Sequence, residues 1–177
     1  MKLVIGHSWV RRLAELYICE DDFVLLGRGG ATFRSIEDDV RKFFRELKGR
    51  RPEVIFVFLG SNDLDRLEGT AEVYKVTADC EALCGLLRQL SPGSKLVISQ
   101  VEDRYARNHL ENSEAVLSDF RAKSNKFNKW LNKYKGKDAV FILKGRKGFS
   151  DPSLYGRDGV HLNYEGNMKF AQRLSDF

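Results

Sequence analysis

Four short strings in this chain hold residues whose types suit proton transfer and nucleophilic attack: Gly6-His7-Ser8, Gly29-Gly30-Ala31-Thr32, Gly60-Ser61-Asn62-Asp63 and Asp158-Gly159-Val160-His161. A serine at the turn from a strand into a helix exposes its hydroxyl and sets its amide at the positive end of that helix. Serine is also a favoured helix cap, so Ser8 taken alone has two readings. The bare amide of Gly30 can approach a ligand oxygen without side-chain interference, although paired glycines also serve turns that need positive φ. Asn62, just beyond a strand, can aim its NH2 at a developing negative charge, and asparagine is equally common there as a turn residue. His161 can accept a proton while Asp158, three residues earlier, holds the other ring nitrogen and fixes the tautomer. Together the strings supply a nucleophile, a base with its orienter, and oxyanion donors, which is the full requirement of a serine acyl hydrolase.

Such a constellation needs elements that bring distant residues to one edge. Short apolar runs occur at residues 3–5, 23–26, 54–59, 96–98 and 140–143, without the polar alternation of half-exposed strands. Between and after them the spacing predicts helices over roughly 9–17, 36–47, 72–90, 113–134 and 164–174. This strict alternation predicts an α/β fold, a five-stranded parallel sheet with helices on both faces, in a single domain over residues 1–177. All four strings then fall at the C-terminal edge of the sheet, where open parallel sheets bind ligands. Ser35 followed by Asp38 predicts a capping box for the second helix, and Gly49 with Pro52 predicts its end.

Other motifs fail on inspection. Val10 stands where the G-x-S-x-G elbow needs glycine, and Thr32 stands where a dinucleotide fingerprint needs its third glycine. Asp63 and Asp65 read as a cap and a solvated carboxylate rather than a cation pair, because no further ligands cluster with them. No cofactor and no metal are expected. Composition agrees with a globular domain, at 42% hydrophobic and 31% charged residues. No apolar run is long enough to cross a bilayer or to form a signal-peptide core. The odd count of 3 cysteines does not describe a disulfide framework, so an intracellular, reducing compartment is expected.

The four blocks, in this order, resemble those of the SGNH or GDSL hydrolases over essentially the whole chain. The resemblance implies a flavodoxin-like three-layer α/β/α sandwich. It implies Ser8 as nucleophile, Asp158 and His161 as the rest of the triad, and Ser8, Gly30 and Asn62 as oxyanion donors. The longer strings from Gly6 to Leu13 and from Asp158 to Asn163 are similar to the esterase-type domains of LINE-class retrotransposon proteins. One position departs from the family pattern: His7 stands where an aspartate is usual, a carboxylate that supports the geometry around the nucleophile.

The implied activity is hydrolysis of a small carboxylic ester, of acetyl or lipid type, through an acyl-serine intermediate. The competing reading is a module of the same fold, weakly active or inactive, that binds RNA, lipid or a partner protein. The net charge of +5 allows weak, salt-sensitive contact with nucleic acid. Lys123, Lys126, Lys129 and Lys133 are expected on a solvated face of the fourth long helix, opposite Val116, Phe120, Phe127, Leu131 and Tyr134. Cys80 and Cys84, one helical turn apart, are expected to be buried and unbridged. Arg104, Tyr105, Arg107 and His109, in the loop after the fourth strand, are expected to wall the substrate pocket together with His7.

Overall fold

The computed structural model describes residues 1–16, 22–105, 113–134, 140–143 and 146–177. Strands β1 (Lys2–Gly6), β2 (Phe23–Gly27), β3 (Val54–Phe58), β4 (Lys95–Ser99) and β5 (Val140–Leu143) form one sheet in the order β2-β1-β3-β4-β5. Every neighbouring pair is parallel. The order reverses beside β1, so the loops after β1 and β3 diverge there and leave a crevice at the sheet's C-terminal edge. The register brings these ends level, with Gly6 opposite both Gly27 and Phe58.

Helices α1 (Ser8–Leu16), α2 (Glu37–Glu46), α4 (Val73–Leu90), α5 (Ser113–Tyr134) and α7 (Tyr164–Ser175) are the long ones expected. Successive strand residues point to opposite faces, and the two faces build two cores. Leu3, Ile5, Ile55, Val57, Leu96 and Ile98 pack with buried residues of α2, α4 and α5. Val4, Phe56, Phe58 and Val97 pack with Trp9, Val10 and Leu13 of α1 and Phe170 and Leu174 of α7. Each fully buried large side chain contributes about 1.5–3 kcal/mol, so the sheet rests on both layers. The result is the three-layer sandwich.

Short elements escape the periodicity: α3 (Ser61–Asp65), α6 (Arg146–Phe149) and 3-10 turns at Thr70–Glu72 and Pro152–Leu154. They are too brief for a 3.6-residue repeat to register. The expected Ser35–Asp38 capping box is replaced by one centred three residues earlier. The Thr32 N–H donates to Ser35 Oγ at 3.0 Å and the Ser35 N–H to Thr32 Oγ1 at 3.1 Å. No side chain caps α2 at Ile36, because the chain already turns helically from Thr32, whose carbonyl accepts the Ile36 N–H at 3.2 Å.

The lysine face of α5 is exposed as expected except at Lys123. Lys123 is only 4% exposed; its ammonium donates to the Leu67 carbonyl at 2.6 Å and pairs with Asp119 at 2.5 Å. Lys126 donates to the Thr70 carbonyl at 2.9 Å but is exposed, as are Lys129 and Lys133. Val116, assigned to the apolar side, is 61% exposed. The Lys123 and Lys126 stems reach over the segment before α4, and Phe120, Phe127 and Leu131 alone of the apolar set are buried. Cys80 and Cys84 are buried and free. Among the described residues no helix is long and apolar enough to cross a membrane.

Candidate active site

The crevice beside β1 is a cleft of about 320 Å³, and Ser8, Gly30, Asn62 and His161 all line it. Ser8 is the first residue of α1. First-turn amides of a helix have no intrahelical acceptor, so the Ser8 N–H is available to a ligand. Gly30 turns the chain after β2 with φ +70° and with nothing within 4 Å of the place a side chain would occupy. A side chain there would be strained by the positive φ.

Asn62, in α3 directly after β3, donates from Nδ2 to the Ala31 carbonyl at 2.9 Å. That bond uses one amide hydrogen and leaves the second for the cleft. Asp63 accepts the Phe33 N–H at 3.1 Å, and Arg66 donates to the Gly30 carbonyl at 3.3 Å. The turn after β2 and helix α3 are thereby cross-linked. Asp63 is buried, and this burial, only partly countered by its hydrogen bonds to the Phe33, Asp63 and Gly60 amides, pushes its carboxyl up to about 6. Asp65 is half-exposed and pairs with Arg104 at 2.6 Å. The D-x-D string therefore splits into a buried cap and an ion-paired rim carboxylate. Among the described residues no three His, Cys, Asp or Glu side chains group as metal ligands.

On the other side, His161 Nδ1 lies 2.5 Å from Asp158 Oδ2. Asp158 Oδ1 also accepts the amides of Val160 at 3.0 Å and His161 at 2.9 Å. Burial works against the charged carboxylate, but the hydrogen bonds from the His161 ring and the two amides carry it down to about 2. An ionised Asp158 accepts a hydrogen bond from Nδ1–H, keeps the proton on that nitrogen and leaves Nε2 as an acceptor, the tautomer a general base needs. Asp158 itself stands behind the ring and does not line the cleft.

His7 and Arg104 line the cleft as expected, and Tyr105 does not. The Tyr105 ring packs 4.8 Å from that of Tyr155, and its hydroxyl donates to the Phe149 carbonyl at 3.3 Å. The Tyr105 N–H donates to the Gly159 carbonyl at 2.9 Å, and a Cβ on Gly159 would come within 2.2 Å of the Tyr105 carbonyl oxygen. Tyr105 thus seats the Asp158–His161 turn instead of meeting a ligand, because its apolar ring finds the α1/α7 core. Arg107 and His109 lie outside the described residues. A contribution not anticipated is that of Trp9, whose indole N–H donates to the Val160 carbonyl at 3.1 Å. Nothing in its place directly after Ser8 signals a bond to a carbonyl 151 residues further along the chain.

The family model that matches this sequence is that of the GDSL-like lipase/acylhydrolases, over residues 5–169. The chain belongs to this family. The match takes in all four blocks, the end of β1 and the whole of β2 to β5. Family membership supports ester hydrolysis in general terms. The GDSL fold is likewise found in solved structures. A Streptococcus pneumoniae protein provisionally described as a platelet activating factor is 21% identical with TM-score 0.78, over 99% of this chain and 82% of that one. An extracellular lipase from Streptomyces rimosus is 13% identical with TM-score 0.67, over 99% and 98%. An acetyl xylan esterase is 21% identical with TM-score 0.64, over the same shares. No curated protein sequence matches.

Proposed function

We propose that this GDSL protein is a serine esterase that cleaves small carboxylic esters through an acyl-serine intermediate. The observation that carries the reading is the Asp158-held imidazole of His161 on the same cleft as Ser8. His161 Nε2 takes the Ser8 proton as Oγ attacks the ester carbonyl. The tetrahedral oxyanion is held by the N–H groups of Ser8 and Gly30 and by Asn62 Nδ2. Collapse breaks the bond to the alcohol, which leaves with the proton from His161. Water, deprotonated by the same ring, then releases the carboxylic acid and restores Ser8.

The narrower likeness to LINE-class retrotransposon esterase domains is carried by the strings around Ser8 and His161, and it fits the same chemistry. A non-catalytic nucleic-acid-binding module draws less support, since two of the four lysines on α5 are engaged by backbone carbonyls. Incubation with a fluorophosphonate probe and a short-chain aryl ester tests the proposal. Labelling and hydrolysis are expected in the wild type, with both abolished in Ser8→Ala. Undiminished hydrolysis in that variant would overturn the reading.

A further inference from the structure

His7 occupies the capping position of α1, where the family pattern has a carboxylate. Its carbonyl accepts the amides of Val10 at 3.1 Å and Arg11 at 3.2 Å, and its own N–H is anchored to the Phe58 carbonyl at 3.2 Å. Its ring Nδ1 accepts the Trp9 N–H at 3.4 Å, and the ring stands edge-on to the Trp9 indole at 5.8 Å. A side-chain acceptor on the second amide of a helix is what an N-cap residue supplies. Imidazole can do this only when Nδ1 is unprotonated, so the proton resides on Nε2 of a ring that lines the cleft.

We infer that His7 is a positioning residue: an uncharged imidazole cap that fixes the first turn of α1, and with it Ser8, while keeping negative charge away from the His161–Asp158 pair. The inference rests on the acyl-serine reading and extends it to the residue directly before the proposed nucleophile. Aspartate could cap the same amide, but its charge would favour the protonated form of the neighbouring His161 and so remove the base at mildly acidic pH. The surroundings keep His7 neutral. Its pKa is pushed down to about 4 by burial first, then by the positive charges of His161 and Arg104. Arg11 of α1, Asp65 of α3 and Glu102 and Asp103 after β4 also face this cleft.

Two measurements on the full chain test this. In long-range 15N–1H spectra at pH 6, His7 is expected as the neutral Nε2–H tautomer; an Nδ1–H tautomer or a charged ring would overturn the inference. In the pH profile of kcat/KM, His7→Asp is expected to move the acid limb upward by about one pH unit, tenfold in activity on the acid side. His7→Asn, which offers an uncharged acceptor to the Trp9 amide, is expected to keep the wild-type midpoint. An unmoved limb in a folded His7→Asp protein would refute the charge argument. Absence of any Ser8-dependent hydrolysis in the wild type would instead sink the esterase reading, and the tautomer would still judge the cap.

Discussion

On one wall of the cleft, the turn after β2 and helix α3 after β3 are tied by side chains that reach from one strand's loop to the next: Asn62 to Ala31, Asp63 to Phe33 and Arg66 to Gly30. On the other wall, Asp158 and His161 are held by a turn that satisfies itself within three residues, through the ring and the Val160 and His161 amides. That turn is then seated from outside by the Trp9 indole and the Tyr105 amide. The wall proposed to hold the oxyanion is therefore a property of the sheet edge as a whole, whereas the proposed base is a local unit docked onto an aromatic core. Damage to the first wall should spread between loops, and damage to the second should stay at the base unless its anchors are cut.

The largest effect should come from Asp158→Asn, which keeps an acceptor for the two amides but loses the charge that holds the His161 tautomer. A fall in kcat of about 10³- to 10⁴-fold on a short aryl ester is expected, with little change in melting temperature. A loss below tenfold would mean the turn orients the ring without its carboxylate. Next is Asn62→Ala, where loss of one oxyanion donor costs about 100- to 1000-fold in turnover, or roughly 3 to 4 kcal/mol. Because Asn62 also ties α3 to Ala31, faster hydrogen exchange is expected in the turn after β2 as well. Near-normal turnover would remove Asn62 from the mechanism.

Asp63 sharpens the contrast through stability. Its carboxyl holds its proton more tightly when folded, at about 6 against 3.8, so stability falls as pH rises through that window. Asp63→Asn should therefore add up to roughly 3 kcal/mol at pH 8 and nothing at pH 4. Equal unfolding midpoints for the two proteins at pH 8 would contradict this. His7 has the opposite sign: with its folded value near 4 against 6.5, its contribution is lost as pH falls between those values.

The parts of the site legible in the sequence were those fixed by strand ends. Ser8, Gly30 and Asn62 each follow an apolar run by a residue or a few, so the parallel sheet alone brings them to one edge. Asp158 and His161 were legible because i,i+3 spacing lets the pair close on itself. What escaped depends on contacts between segments far apart in the chain. Burial of Lys123 follows from carbonyls of a loop 56 residues away, and Tyr105 turned inward to meet Tyr155. The shifted capping box had equally good residues in two registers, and only the turn begun at Thr32 chose between them.

The smallest effect is expected from Trp9→Phe. Ring packing against Phe149, Tyr155 and Phe170 would persist, while the hydrogen bond to the Val160 carbonyl would be lost, at a cost of about 1 kcal/mol. Chemical denaturation should register that loss, together with a severalfold drop in kcat and unchanged KM. A wild-type kcat would show that Tyr105 alone suffices to seat the base.

The central claim is that Ser8, His161 and the two oxyanion loops act on one carbonyl, and a crystal structure of the protein reacted with an organophosphate tests it most directly. The account predicts phosphorylated Ser8 Oγ, with the phosphoryl oxygen about 2.7–3.1 Å from the Ser8 and Gly30 nitrogens and Asn62 Nδ2. A modified residue other than Ser8, or a phosphoryl oxygen turned to solvent with His161 out of reach, would contradict it.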